Sequence, residues 1–264
     1  MQRRQFLSSS LATSAVALAG RGAAQPAPSH SREYYLIRRY NLQNGPQTAL
    51  TEKYFSEALI PAVTRLGMGP VGALRLEYGP ETPDFYLIIP GPSAQSLAEI
   101  ELRLAQDADF MKAAEPFWSA PANAPAFIRV ETSLLLAFEG WPKLVPPPSA
   151  ATKGKRIFQL RTYESPSFAD HVRKVEMFNS GEFEIFKTAG FNPVFFSDVL
   201  VGPRMPKLTY MLSLDGIDQL DAKWAAFGND PAWKKLSGSP RYAFEPIVSD
   251  IDNQILRPLS CSQI

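Results

Sequence analysis

The chain has one cysteine, Cys261, and two histidines, His30 and His171, among 264 residues. A single thiol excludes an intramolecular disulfide, and Cys261 reads as an incidental thiol near the C-terminal end. Two histidines are too few for a histidine-rich metal site, and no zinc-like ligand spacing occurs. There is no Gly-rich nucleotide loop and no nucleophile elbow. An excess of one charge is missing as well. The 27 Lys and Arg against 26 Asp and Glu leave a formal net charge of +1, which gives no electrostatic reason to expect nucleic acid or anionic lipid as partner. The one distinct apolar run, Leu11 to Ala19, falls short of the ~20 residues that a membrane-spanning helix needs. No metal, no cofactor and no stable membrane span in the mature form are therefore expected.

What is present is an ordinary globular composition, 45% hydrophobic and 20% charged, with seventeen phenylalanines to fill cores. The most informative feature is an internal repeat. An offset of 123 positions carries Arg38 to Arg161, Tyr40 to Tyr163, Phe55 to Phe178 and Gly67 to Gly190. It also carries Gly79, Pro80 and Pro83 to Gly202, Pro203 and Pro206. One ungapped offset over such a length points to two copies of one domain.

Each copy reads strand, helix, strand, strand, helix, strand. In the first, strands are expected over 34–40, 71–78, 85–89 and 127–138. Helices are expected over 48–66, with Pro61 kinking or shortening it, and over 93–104, with a short helical turn over 107–115. In the second, strands are expected over 157–163, 194–201, 208–214 and 247–256. The long helix spans 167–189 and ends at Gly190, and shorter ones follow over 217–227 and 230–236. The order is that of the ferredoxin-like unit, which leaves one sheet face open. The fold class is therefore α+β, two tandem ferredoxin-like (βαββαβ) domains covering each other's open sheets as an intramolecular dimeric α+β barrel. Domains are placed at 33–140 and 156–264, with residues 141–155 and their Pro146-Pro147-Pro148 run as a stiff linker.

The N-terminus reads as an export signal. Arg3-Arg4-Gln5-Phe6-Leu7 precedes the apolar run, and small-residue cleavage sites occur at 17–19 and 22–24. This resembles a bacterial twin-arginine signal over residues 1–24, followed by a leader over 25–32. A periplasmic or secreted location is the expectation.

The second copy carries Arg161-Thr162-Tyr163-Glu164-Ser165, then Arg173-Lys174-Val175-Glu176-Met177-Phe178-Asn179, and Asn192-Pro193-Val194-Phe195-Phe196. Leu200 to Pro206, Leu208-Thr209-Tyr210-Met211-Leu212, Trp224-Ala225-Ala226-Phe227 and Asp230-Pro231-Ala232-Trp233-Lys234 complete the set. This resembles the NIPSNAP family, in the tandem form of exported bacterial proteins; the first copy resembles it weakly. The resemblance implies the dimeric α+β barrel. Relatives of that fold include cofactor-free monooxygenases, dismutase-like haem enzymes and proteins without known activity, and the family has no settled reaction.

Strand alternation puts Ile157, Gln159, Arg161 and Tyr163 on one face and Phe158, Leu160 and Thr162 on the other. The apolar face is expected under the helices and the mixed face inside the barrel. Arg38 and Tyr40 share the corresponding face of the first copy. An arginine beside a tyrosine can bind a carboxylate or enolate and supply a proton. The same pair can also stitch the sheets together, with Arg161 bridging to Glu176 or Asp198. Arg161, Tyr163 and His171 are the catalytic candidates. Arg38, Tyr40, Gln159, Arg161, Tyr163, Asn179 and Tyr210 are the ligand-binding candidates. Phe168, Val172 and Val175 mark the expected buried stripe of the long helix, leaving His171 at its edge. Glu176, Asn179 and Glu182 are expected on a solvated stripe with Arg173 and Lys174. Trp224, Phe227 and Trp233 read as core.

Three functions fit. The chain binds a small molecule in the barrel, or is a cofactor-independent monooxygenase- or isomerase-like enzyme, or is a protein-interaction module that docks a partner. Further oligomerisation is compatible with each. A cavity beside Arg161 and Tyr163 favours the first two; a filled interior favours the third.

Overall fold

Two strings of elements in the same order make up the structure, a computed structural model that describes residues 31–264. The export segment and residues 25–30 of the leader lie outside the described residues. The first half runs β1 (Tyr34–Asn41), α1 (Pro46–Lys53), a π turn (Tyr54–Leu59), α2 (Ile60–Arg65), β2 (Gly72–Tyr78) and β3 (Asp84–Gly91). It continues through α3 (Ala94–Ala98), α4 (Ile100–Leu104), α5 (Ala108–Trp118) and β4 (Arg129–Ala137). After the short α6 (Pro148–Ala151), the second half runs β5 (Ile157–Glu164), α7 (Phe168–Met177), a π turn (Phe178–Glu182), α8 (Phe183–Thr188), β6 (Asn192–Val201) and β7 (Lys207–Leu214). It ends with α9 (Leu220–Asn229), α10 (Pro231–Ser237) and β8 (Asp250–Pro258). The 123-position offset carries both ends of β1 onto those of β5, and both ends of β3 onto those of β7.

Within each half the sheet order is that of a ferredoxin-like unit, β4-β1-β3-β2 and β8-β5-β7-β6. Antiparallel pairing of β2 with β8 and of β4 with β6 joins the halves into a closed eight-stranded barrel. Closure satisfies the backbone groups that four strand edges would otherwise leave open.

The faces of the sheets are the reverse of the expected ones. Phe158 and Leu160 point into the barrel with Tyr35, Ile37, Phe195, Met211 and Leu256. Tyr163, Tyr210 and Leu212 lie under α7, α8 and α9 with Phe178, Phe186 and Phe227. The physical reason is dryness. The space between two facing sheets is walled by strands all round, so it takes the purely apolar rows, each large side chain contributing ~1.5–3 kcal/mol by burial. The mixed row faces the helices, which can supply polar partners. The barrel interior is filled with side chains, so the expected binding site inside it is not formed there.

The long helices also depart from expectation. Pro61 does not stop the first one. The helix widens into the π turn just before it, and the Ile60 N–H reaches the Phe55 carbonyl, so the proline ring sits where the ladder has already been reset. The second helix widens at the corresponding place, with Gly181 at φ 135°. Gly67 and Gly190 close the two helices at φ 77° and 86°, as their left-handed C-caps require. Ser93, Asp107, Ser167 and Asp230 accept hydrogen bonds from the first turns that follow them.

Residues 141–155 are packed rather than spacer-like. Leu144 is buried in the barrel interior. The Trp141 ring lies 5.4 Å from Phe196, and the Val145 N–H donates to the Val194 carbonyl.

Candidate functional site

Arg38 and Tyr40 sit on the face of β1 that looks at α3, α4 and α5. Between that face and the helices lies a cavity of about 460 Å³. Leu36, Leu97, Phe117 and Val130 provide apolar walls, and Arg38, Tyr40, Tyr54 and Glu101 the polar groups. Arg38 is 7% exposed. It pairs with Glu101, which stands half-exposed at the mouth, and lies close enough to the Tyr40 hydroxyl to interact with it. Burial acts to lower the Arg38 pKa, but Tyr40 and Glu101 outweigh it and the net direction is up. Burial raises the Tyr40 pKa, against the opposing effect of Arg38. Tyr54 is raised as well, by burial first and then by Tyr40. Both phenols are therefore protonated donors at neutral pH. Tyr54 stacks on Phe117 at 3.9 Å, and its hydroxyl accepts from the Trp118 indole N–H at 3.0 Å, leaving its own proton available.

The same positions in the second half are closed. Arg161, Tyr163 and Tyr210 do come together. The Tyr163 and Tyr210 hydroxyls are 2.7 Å apart, and Arg161 donates to Tyr163 at 3.3 Å. The Trp224 ring then covers the Arg161 guanidinium at 4.5 Å. Trp224 is the offset counterpart of Glu101, so a stacked indole replaces a carboxylate at the mouth. Gln159 accepts from the Trp224 N–H at 2.8 Å and donates to Asn253 at 2.8 Å. Burial again lowers and the two tyrosines raise the Arg161 pKa, with a net rise. Below them Lys174 and Glu182 form a wholly buried ion pair at 2.8 Å, with the ammonium 4.5 Å from the Phe178 ring. Burial pushes the Glu182 pKa up, opposed by Lys174 and Arg161. Arg161 bridges to neither Glu176 nor Asp198, which are engaged elsewhere.

The remaining candidates are corrected by the turn of α7. Phe168 and Val172 are 69% and 63% exposed, whereas His171, Lys174 and Met177 are buried. His171 contacts Asp198 on β6, Nε2 to Oδ1 at 2.7 Å, and so ties the helix to the sheet. Asn179 is exposed, and its Oδ1 accepts from the Gly140 N–H at 2.8 Å, holding the turn after β4. Glu182 is not on a solvated stripe. Glu176 is on the surface and accepts from Arg241 and Tyr242. Of the sequence candidates, Arg38 and Tyr40 border the open cavity and Gln159, Arg161, Tyr163 and Tyr210 form the closed cluster, while His171 and Asn179 serve packing.

Sequence reasoning missed Tyr54, Glu101 and Trp118. A signal existed for one of them: Leu97 and Glu101 are four apart on the helical face that the offset places opposite Arg38. Tyr54 and Trp118 meet only through the packing of the first π turn on α5.

Residues 158–263 match the NIPSNAP family model. No curated protein matches the sequence. Among solved structures, a candidate monooxygenase from Lactobacillus acidophilus is 9% identical at a TM-score of 0.55, over 86% of this chain and 94% of its own. A candidate monooxygenase from Fusobacterium nucleatum is 8% identical at 0.52, over 88% and 94%. An anthrone oxidase-like protein is 12% identical at 0.51, over 88% and 93%. At these identities the likeness establishes the fold, the dimeric α+β barrel with ferredoxin-like halves, and nothing of the chemistry.

Proposed function

We propose, from the premise that residues 158–263 form a NIPSNAP domain, that the chain binds a small molecule, and that it does so in the other half. The ligand class is an apolar, ring-sized body carrying one anionic or enolic oxygen. The observation that carries this reading is the open cavity over Arg38, with two protonated phenols beside it and apolar walls around it. A cavity of this size lies within the range of small-molecule sites. A guanidinium with two neighbouring hydroxyl donors in a pocket walled by apolar side chains is a strong oxyanion holder. The second half supports the fold without an equivalent opening over Arg161, where the Trp224 ring occupies the place.

Naphthoate tests the reading, because Trp118 lines the cavity and its emission should report occupancy. Wild-type protein should show saturable quenching. Arg38→Met should weaken binding roughly 10- to 100-fold, the weight of one hydrogen bond to a charged group, while Arg161→Met should leave it unchanged. Equal affinity in Arg38→Met would sink the proposal.

A further inference from the structure

The cavity over Arg38 holds more than hydrogen-bond donors. Glu101 is the one carboxylate among the residues that line it. It comes from α4, whereas Arg38 and Tyr40 come from β1 and Tyr54 from the first π turn. The ion pair runs between Arg38 Nη2 and Glu101 Oε1. A guanidinium carries five N–H donors in a planar fork, so this pair leaves others for a bound oxygen. Glu101 in turn keeps its Oε2, and its side chain is 49% exposed. The second half shows what this residue adds. There Arg161, Tyr163 and Tyr210 keep the donors, but Trp224 stands at the position of Glu101 and covers the guanidinium. The half that opens is the half that carries a carboxylate.

A carboxylate touching an oxygen holder has a chemical use. In a ketone the acidic hydrogens sit on the carbon next to the carbonyl, two bonds from the oxygen. A base that removes one must therefore stand beside the groups that hold the oxygen. Charge balance fits as well. Proton removal neutralises Glu101 and places the negative charge on the enolate oxygen, so the guanidinium exchanges one anionic neighbour for another. The walls set the shape. Tyr54 stacks on Phe117 with 5° between the ring planes, and Phe127 lies 5.6 Å from Phe117. Flat surfaces of this kind suit a planar ring.

We propose that the Arg38 cavity enolises ring ketones, with Glu101 as the base and Arg38, Tyr40 and Tyr54 holding the enolate oxygen. The C–H bond beside the carbonyl breaks and its proton passes to Glu101. Its electron pair forms the C=C bond, and the carbonyl π pair moves onto the oxygen. Returned to the same carbon, the proton regenerates the ketone. Returned to the far end of a conjugated enolate, it shifts a double bond into conjugation with the carbonyl. Neither course needs an oxidant, a reductant or a co-reactant. Half in water, Glu101 trades the proton it has taken for one from solvent. The proposal rests on the binding reading above in using the same cavity and the same oxygen holders.

The experiment incubates the protein in heavy water with β-tetralone, a two-ring ketone with activated C–H bonds beside its carbonyl. Loss of those proton signals is followed by NMR against protein-free buffer. Wild-type protein should accelerate exchange saturably, and naphthoate should inhibit it. Glu101→Gln should lose about 100-fold or more of the acceleration, the weight of a general base, while its naphthoate affinity holds or rises. A loss of both in that variant passes the decision to Glu101→Asp, which withdraws the base by one methylene and should slow exchange at unchanged naphthoate affinity. Arg38→Met should lose exchange and naphthoate binding together, and Arg161→Met neither. Naphthoate quenching in the wild type with exchange at the buffer rate overturns the enolisation and leaves the binding reading standing. Acceleration that survives Glu101→Gln, or is undiminished in Glu101→Asp, overturns it too. Acceleration without naphthoate quenching overturns the anion-binding reading alone, and the absence of both overturns both.

Discussion

At the scale of single residues, one exchange separates the two halves: Glu101 over Arg38, Trp224 over Arg161. The indole stacks and excludes a ligand. The carboxylate pairs with the guanidinium but stays half-exposed, so a bound anion must compete with it. Glu101→Gln removes that competitor and leaves Arg38 and both phenols in place. Naphthoate affinity should rise about three- to tenfold in this variant, in line with ~1 kcal/mol for a partly exposed ion pair, as read by the same quenching titration; an unchanged or weaker affinity would show that Glu101 positions Arg38 rather than competing for it. Alternation in the sequence was enough to group Arg38 with Tyr40 and Arg161 with Tyr163. It could not say which way those rows face, because both faces of each sheet meet apolar layers. The same gap appears on α7. Its apolar spacing selects Phe168 and Val172, yet the helix buries His171, Lys174 and Met177. Lys174 is tolerated there because Glu182 and the Phe178 ring lie within reach, and neither partnership can be read from spacing alone.

At the scale of elements, the paired π turns decide which side chains reach the sheet. Both halves widen the long helix at the same repeat position, at Tyr54–Leu59 and Phe178–Glu182. Helix lengths and C-caps were legible from Gly67 and Gly190, whereas the π turns were not, since no residue type announces an i→i+5 bond. In the second half Gly181 takes φ 135°, a region open to glycine and strained for other residues. A Cβ at this position would meet nothing within 4 Å, so the penalty is purely backbone. Gly181→Ala should therefore destabilise the fold by about 1–3 kcal/mol in denaturant unfolding, without loss of naphthoate binding in the other half. A further clasp acts on the same helix. Glu176 of α7 accepts from Arg241 at 2.7 Å and from the Tyr242 hydroxyl at 2.6 Å, pinning the segment before β8. Hydrogen bonds from Arg241 and then Tyr242 pull the Glu176 pKa from 4.5 down to about 2. The folded state thus favours the ionised form, so the contribution is complete above the unfolded value and fades as pH falls from 4.5 towards 2. Glu176→Gln should flatten the acid limb of a stability-against-pH curve across that window and leave its slope near neutrality unchanged; an unaltered acid limb would show that the clasp adds nothing.

At the scale of the whole molecule, the architecture follows from what neither half can do alone. The ferredoxin-like order was readable because β1 and β3 repeat without a gap as β5 and β7, and because an open sheet needs a cover. What the sequence withheld was the division of labour between the two sides of that sheet. Closure uses two seams, β2 with β8 and β4 with β6, and seals a shared row of Phe158, Leu160, Phe195, Met211 and Leu256 against Tyr35, Ile37 and Leu74. A half expressed by itself exposes that row together with the edges of β6 and β8. Such a surface, apolar and bounded by two unpaired strands, is self-complementary under a two-fold axis, because each half presents the same order of strands to the other. Residues 156–264 alone should therefore form a homodimer that rebuilds an eight-stranded barrel from two copies of the second half. Sedimentation equilibrium should give twice the chain mass, and adding the separately expressed first half should exchange into it only on unfolding and refolding. A well-folded monomer of residues 156–264 would mean that the lumen row can be covered locally, and that the covering of one sheet by the other is not what holds the two halves together.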